Sequence, residues 1–185
     1  MTSVETLLTA EEFASLPEPE EGGKLELVDG KVVCMPPVGE QHGRRAVRLS
    51  TALHGFVDAQ GLGYVGVEIG FRLSRQPDTL VAPDVVFFAA DPSRPEQASF
   101  VDASPTLAVE IMSPDDRELE VSAKVRRYLE AGTRRVWIVR PGERTITVHR
   151  PGGDSHTFKV GDTLTSDDAG FDAEGFELPL REAFR

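Results

Sequence analysis

The sequence has only one cysteine, Cys34, and no long run of apolar residues. A lone cysteine excludes an internal disulfide framework and favours a reducing compartment, so we expect Cys34 to be a buried filler rather than a nucleophile. A membrane-spanning helix needs about 20 apolar residues, and no segment approaches that length. The N-terminal segment is acidic where a secretory signal is basic, so we predict a cytoplasmic protein.

Positive charge is also scarce, with 20 Lys and Arg residues against 31 Asp and Glu residues and a net charge of -11. This balance argues against a non-specific nucleic-acid-binding protein, because Lys and Arg supply most of the affinity for a phosphate backbone. A nucleic-acid substrate would need a local basic patch, unless the arginines simply line solvated helix faces. The candidate groups are Arg44, Arg45 and Arg48, and Arg126, Arg127, Arg134 and Arg135.

The length of 185 residues and the hydrophobic content of 39% fit one domain spanning residues 1–185. Thr9 and Glu12 have the spacing of a capping box, which predicts a short N-terminal helix. The Asp29-Gly30 pair between two alternating segments predicts a β-hairpin. Apolar residues recur at helical spacing over residues 41–60, which predicts a long helix.

Three later segments have the composition of strands. Residues 64–73 alternate between apolar and polar positions, which predicts one half-buried strand. Residues 80–88 and 105–112 are apolar on both faces, which predicts two central strands covered on each side. Ser113 predicts the start of a helix that runs to Ala131, because a proline and acidic residues follow it. Two paired strands come next, and this order predicts a mixed α/β sheet flanked by helices.

Two carboxylates stand in the most apolar parts of the sequence, Asp84 within residues 81–88 and Glu110 within residues 107–112. Burying an unpaired carboxylate is costly, so an acid in a core strand is paired, protonated or bound to a metal. If the two strands are neighbours, both acids can bind one hard cation, and their oxygen ligands favour Mg²⁺ or Mn²⁺. The alternative for each acid is a salt bridge or a capped strand end.

A metal site of this kind suits phosphodiester hydrolysis, in which a nearby cation offsets the developing negative charge. The side chain two residues after Glu110 shares its face, but that residue is the uncharged Met112. Lys124 lies at the edge of the apolar stripe of the following helix, from where it can reach the metal. The alternative is that Lys124 is a solvated lysine extended along apolar surface.

Taken in order, these residues resemble the Uma-type endonucleases, a group in the PD-(D/E)xK nuclease superfamily that was long classed as a domain of unknown function. The similarity covers nearly the whole chain. The motifs that carry it are Ala82-Pro83-Asp84-Val85-Val86, residues 107–114 (LAVEIMSP), Lys124 with Tyr128, and Val136-Trp137-Ile138-Val139. The resemblance implies a restriction-endonuclease-like fold, with a mixed β-sheet core flanked by helices.

The resemblance also implies roles for individual residues. Asp84 and Glu110 would be the metal ligands. Lys124 would stabilise the transition state, because the lysine that the superfamily has two residues after the second acid has moved to the next helix in this group. Glu120, one turn before Lys124, would orient it.

Two residues nearer the N-terminus match the same group and would point towards the site. Glu26 would be a further metal ligand or a water-orienting acid, and His42 would contact phosphate. The alternatives are that Glu26 lies on the exposed face of its strand and that His42 caps its helix.

We therefore predict a Mg²⁺- or Mn²⁺-dependent endonuclease that hydrolyses nucleic acid, with DNA as the expected substrate and a homodimer as the expected assembly. One alternative is a nuclease-fold binding or regulatory protein with weak or no catalysis, which the acidic net charge favours. Another is a hydrolase of a small phosphorylated metabolite.

Overall fold

The computed structural model describes residues 7–20, 22–91, 99–114 and 116–185. Within these ranges the chain forms two principal β-sheets, a small third sheet, two long helices and several short helices. In chain order the elements are α1 (Ala10–Phe13), β1 (Lys24–Val28), β2 (Lys31–Met35), α2 (Glu40–Gln60), β3 (Gly63–Gly66), β4 (Phe71–Ser74), β5 (Thr79–Val81), β6 (Val85–Ala89), β7 (Leu107–Ile111), α3 (Glu118–Glu130), β8 (Arg135–Arg140), β9 (Thr145–His149), β10 (Ser155–Phe158), β11 (Thr163–Thr165), α4 (Ser166–Ala169), β12 (Glu177–Pro179) and α5 (Leu180–Ala183).

The larger sheet has the strand order β10-β9-β8-β7-β6-β3 among the described residues. β7 and β8 are parallel and the other neighbours are antiparallel. α2 packs on one face through Leu49, Leu53 and Val57. α3 packs on the other face through Val125 and Tyr128. Two covered faces explain why all five residues of β7 are buried, and the prediction of a central strand there is confirmed.

A second sheet, with the order β2-β1-β5-β4, lies beside the larger one. Its β1–β2 hairpin turns at Asp29 and Gly30, whose φ angles are 51° and 76°, as the Asp-Gly pair predicted. β2 is an edge strand whose first four residues are exposed. Cys34 lies on this strand and is exposed, so the prediction of a buried cysteine is wrong.

The prediction of one strand over residues 64–73 is also wrong. β3 belongs to the larger sheet and β4 to the smaller one. Between them Glu68 has a φ of 52°, in the left-handed region, so the chain turns away from β3.

The apolar segment at residues 80–88 is divided between the two sheets, so the prediction of one central strand there is wrong as well. β5 pairs with β1 and β4, and β6 pairs with β3 and β7. The break falls at residues 82–84, where Pro83 has no backbone donor for a ladder. The chain thus passes from one sheet to the other directly at Asp84.

The predicted helix start at Ser113 is wrong, and α3 begins at Glu118. Asp116 Oδ2 instead accepts a 2.7 Å hydrogen bond from the Ser113 amide, which closes a turn that competes with helix formation. The acid between them, Asp115, lies outside the described residues. The predicted end near Ala131 is confirmed, since α3 ends at Glu130 and Ala131 is its C-cap.

The other helix predictions are confirmed. α1 begins with the predicted capping box, in which Thr9 and Glu12 bond to each other's backbone amides. α2 spans the predicted range, and Gly61, whose φ is 64°, is its C-cap. None of the helices in the described part of the chain is long and apolar enough to cross a membrane.

Two glycines provide a matched test of the sheet edge. Gly63 has a φ of 144°, and a Cβ there would lie 2.2 Å from the Phe88 carbonyl oxygen. We expect Gly63→Ala to lower the free energy of unfolding by about 1–3 kcal/mol, because β3 would have to move away from β6. Gly55→Ala on α2, where a Cβ meets nothing within 4 Å, should raise it by about 0.5–1 kcal/mol. Urea unfolding of both variants measures the difference, and equal effects would contradict the close approach of β3.

Candidate active site

The two carboxylates singled out from the sequence lie beside each other. Asp84 directly precedes β6, and Glu110 lies on β7, one residue beyond the Val85–Val109 pair of the β6–β7 ladder. Asp84 and Glu110 are 6% and 9% exposed. Asp84 Oδ2 accepts a 2.7 Å hydrogen bond from the Ile111 amide, which ties the irregular residue to β7. The two acids are therefore neighbours in the structure, as the sequence predicted.

Lys124 of α3 reaches this pair. Its Nζ lies 3.0 Å from Glu110 Oε2 and 3.1 Å from Glu26 Oε1. Burial alone would lower the pKa of Lys124, but the charges of Glu110 and Glu26 outweigh burial and raise that pKa. Lys124 is thus a fixed cation rather than a proton acceptor, and the alternative of a solvated lysine is wrong.

Glu26 is held on the inner side of β1. It is only 4% exposed, so the alternative of an exposed strand face is wrong. Besides Lys124, its Oε1 accepts a 3.1 Å hydrogen bond from the Ala82 amide, at the break that precedes Asp84. Glu26 therefore links the smaller sheet to α3 and to the chain segment that positions Asp84.

Tyr128 lies one turn after Lys124 and is fully buried. Its hydroxyl donates a 2.7 Å hydrogen bond to Glu110 Oε1, so both oxygens of Glu110 are held, one by Tyr128 and one by Lys124. Burial and then the negative charge of Glu110 raise the pKa of Tyr128, so its hydroxyl keeps its proton. From the sequence Tyr128 is one member of an apolar stripe and of a family motif. Its spacing of four from Lys124 was the signal that it shares the lysine's face.

His42, in the first turn of α2, contacts Asp84 from the other side of the sheet. Its Nε2 lies 3.2 Å from Asp84 Oδ1. Its Nδ1 is buried and has no hydrogen-bond partner among the described residues. The N-cap of α2 is Gly39, without a side-chain cap, so the alternative that His42 caps the helix is wrong.

Sequence reasoning missed Lys24. Its Nζ donates a 2.7 Å hydrogen bond to the Ala82 carbonyl oxygen and lies 3.5 Å from Asp84 Oδ1 and 4.0 Å from Glu26 Oε1. Lys24 and Glu26 are two apart on β1 and so share a face. Once Glu26 was assigned to the site, that spacing could have identified Lys24 as a further site residue.

The cluster has three carboxylates, Glu26, Asp84 and Glu110, against two lysines. Burial raises the pKa of Asp84, but the hydrogen bond from His42 and the charge of Lys24 outweigh it, so the pKa is lowered and Asp84 is ionised. Glu110 behaves differently. Burial raises its pKa, Lys124 lowers it, and the charges of Asp84 and Glu26 help to keep it raised. The cluster therefore has more negative charge than its lysines balance.

The donor chemistry fits a hard divalent cation. No group of three or more His, Cys, Asp and Glu side chains within the described ranges is arranged to hold a metal ion. Mg²⁺ does not require such a cage, because proteins often bind it through one or two carboxylates while waters and substrate phosphates complete the octahedron. Asp84 and Glu110 supply two oxygen donors. Burial raises the pKa of Glu110 most, and a cation there would offset the charges of Asp84 and Glu26 that raise it further.

The structure does not bring Glu120 to Lys124. Glu120 is exposed and pairs with Arg117 at 3.9 Å, so the prediction that Glu120 orients Lys124 is wrong. Glu110 and Glu26 orient Lys124 instead.

The two arginine groups have different surroundings. In the second group three arginines pair with carboxylates, since Arg127, Arg134 and Arg135 contact Asp29, Asp172 and Asp167 respectively. The first group follows His42 on α2. Arg44 pairs weakly with Glu40 at 3.7 Å, whereas Arg45 and Arg48 have no carboxylate partner among the described residues. Of these two groups, the arginines without a carboxylate partner among the described residues are therefore Arg45 and Arg48 on the helix that carries His42, and Arg126 on α3.

Comparisons with known proteins agree with the predicted fold. Residues 10–180 match the Uma2 family, which has the description "Putative restriction endonuclease". The structure is similar to a crystal structure described as "a putative nuclease belonging to DUF820 from Anabaena variabilis ATCC 29413", with 23% sequence identity and a TM-score of 0.78. The similarity covers 96% of this chain and 97% of that chain, so the two share a fold, and the predicted restriction-endonuclease-like fold is confirmed. No curated protein matches this chain.

Proposed function

The chain belongs to the Uma2 family, and we propose that it is a metal-dependent endonuclease that hydrolyses phosphodiester bonds in DNA. The observation that carries this proposal is the buried cluster of Glu26, Asp84 and Glu110 around Lys124. Buried acids that serve only stability are expected to be balanced by cations, whereas here three carboxylates share two lysines and a histidine, which is charged only when it is protonated.

Asp84 and Glu110 would hold Mg²⁺ or Mn²⁺. When bound, the metal would polarise the scissile phosphate and lower the pKa of the attacking water. The protein's part is to hold both acids in place. The Ile111 amide and His42 fix Asp84, and Tyr128 and Lys124 fix Glu110.

Lys124 would stabilise the negative charge that develops on the phosphate in the transition state. Its charge is permanent, because the carboxylates of Glu110 and Glu26 raise its pKa. Glu26 acts through Lys124 in this scheme, as a positioning residue that keeps the ammonium group above Glu110. His42 has one nitrogen on Asp84 and another that is buried and has no partner among the described residues, so this second nitrogen would contact the substrate phosphate through a water.

A DNA backbone would approach along α2. Arg45 and Arg48 follow His42 on this helix and have no carboxylate partner among the described residues, so they supply the local positive charge that an acidic protein needs for DNA binding. Two copies of the chain would place two such sites on opposite strands of a duplex, and we therefore propose a homodimer as the active form.

Cleavage of supercoiled plasmid in Mg²⁺ or Mn²⁺ tests this function. We expect the wild-type protein to nick or linearise the plasmid and EDTA to stop it. Glu110→Gln keeps the shape and the bond from Tyr128 but removes the charge, so we expect it to lower the rate at least about a hundredfold. Glu130→Gln, at an exposed position on α3, is the matched control. Equal nicking by wild type and Glu110→Gln would indicate a contaminating nuclease and contradict the proposal. Cleavage of RNA alone would contradict the proposal that DNA is the substrate.

A further inference from the structure

Two lysines flank the acid cluster, and the structure holds them differently. Lys124 makes two short ion pairs, at 3.0 Å to Glu110 and 3.1 Å to Glu26. The contacts of Lys24 with Asp84 and Glu26 are longer, at 3.5 Å and 4.0 Å. The short hydrogen bond of Lys24 goes instead to the Ala82 carbonyl oxygen, at 2.7 Å. Lys24 is therefore anchored by the backbone and only loosely by the acids.

The backbone of Lys24 is itself fixed. Gly23, directly before it, has a φ of 94°, and a Cβ there would lie 2.1 Å from the Met35 carbonyl oxygen. This close approach sets the open end of the β1–β2 hairpin, from which the side chain of Lys24 extends towards Ala82. The ammonium group is consequently held beside Asp84, at the break between β5 and β6.

The oxygen that Lys24 faces is the one that a metal would use. Asp84 Oδ2 is occupied by the Ile111 amide, whereas Oδ1 faces the Lys24 ammonium group and His42 Nε2. A divalent cation on Oδ1 would repel an ammonium group at this distance, because like charges so close in a partly buried site interact strongly. The two lysine side chains are about equally exposed, so the difference between them lies in their ion pairs. Lys24 can move away from the acids because its ion pairs are long, whereas two short ion pairs hold Lys124 in place.

We propose that Lys24 is the resident counter-cation of Asp84, which a divalent metal displaces and which then contacts the phosphate of the substrate. The inference rests on the proposed metal-dependent function. In the metal-free protein Lys24 balances the charge of Asp84. When the metal binds, the ammonium group leaves Oδ1 but keeps its hydrogen bond to the Ala82 carbonyl oxygen, and from there it contacts the phosphate.

Calorimetric titration with Mn²⁺ tests the displacement without reference to cleavage. The variant Lys24→Met removes the competing charge, so we expect it to bind Mn²⁺ at least about threefold more tightly than the wild type. On plasmid it should be at least about tenfold slower, because the phosphate loses a cation. Lys159→Met, at an exposed position after β10, is the matched control and should change neither quantity. Unchanged or weaker Mn²⁺ binding by folded Lys24→Met would overturn the proposal.

A measurement on the wild-type protein covers the case in which Lys24→Met does not fold. In protein labelled with ¹⁵N at the lysine side chains, Mg²⁺ should shift the Lys24 ammonium signal and leave the Lys124 signal nearly unchanged. Lys24→Arg assigns the signal. An unshifted Lys24 signal at saturating Mg²⁺, or no metal binding at all, would overturn the displacement. Metal binding with a shifted Lys24 signal but no cleavage would leave the displacement standing and contradict the nuclease function alone.

Discussion

Lys124→Met is expected to lower the free energy of unfolding by about 3 kcal/mol and to abolish measurable cleavage. Methionine keeps an unbranched side chain of similar shape but leaves Glu26 Oε1 and Glu110 Oε2 without their shared cation. Removing one partner of a buried ion pair is strongly destabilising, because the remaining charge stays buried without compensation. A fifth of the Lys124 side chain is exposed, which places the effect at the lower end of the usual range.

Urea unfolding and the plasmid assay measure the two effects of this variant. Arg126→Met is the matched control, since Arg126 is exposed on the same helix. Lys124→Arg keeps the charge but changes the position of its donors, so it should recover part of the stability and little of the cleavage. Wild-type stability in Lys124→Met would contradict the ion-pair cluster, and wild-type cleavage would contradict the role of Lys124 in the transition state.

Asp84→Asn should lower the rate of cleavage by about a thousandfold, the equivalent of about 4 kcal/mol of transition-state stabilisation. The amide oxygen of asparagine can still accept the hydrogen bond from the Ile111 amide, so the fold should persist. What is lost is the negative charge on the oxygen that faces Lys24 and His42, and with it a ligand for the metal.

Two measurements separate these effects. Mn²⁺ affinity from calorimetry should fall at least about tenfold, and the free energy of unfolding should change by less than about 2 kcal/mol. Asp58→Asn, at an exposed position on α2, is the matched control. If Asp84→Asn keeps the wild-type affinity for Mn²⁺, Asp84 is not a metal ligand.

The sequence alone was sufficient to find the acids at the centre of the site. Glu110 is conspicuous because its neighbours on β7 are all apolar, and Asp84 because it follows a proline within an apolar segment. Lys124 could be placed because helical spacing fixes which face of α3 a residue shares. In each case a local pattern carried the information.

Features that depend on tertiary pairing could not be predicted in this way. Residues 80–88 are apolar apart from Asp84, and nothing local indicates that β5 pairs with β1 while β6 pairs with β7. Alternation on β1 shows that Lys24 and Glu26 share a face but not that this face is the covered one. The burial of Glu26 and the approach of Lys24 to Asp84 follow from how the smaller sheet packs beside the larger one.

The prediction of where α3 begins was wrong for a different reason. Ser113 and the residues after it have the composition of a helix N-terminus, but the same side chains also stabilise turns. The Asp116 carboxylate closes such a turn on the Ser113 amide, and the helix begins only at Glu118. When a composition suits two local structures, the surrounding tertiary structure determines which of the two forms.

The most direct test of the metal site is a crystal structure of the wild-type protein grown in saturating Mn²⁺, with anomalous diffraction to locate the ion. We expect an anomalous peak within about 2.0–2.6 Å of oxygens of both Asp84 and Glu110, with Lys24 Nζ moved away from Asp84 and Lys124 Nζ still beside Glu110. A Mn²⁺-saturated crystal with no peak at these two carboxylates, and with Lys24 still on Asp84, would contradict the account.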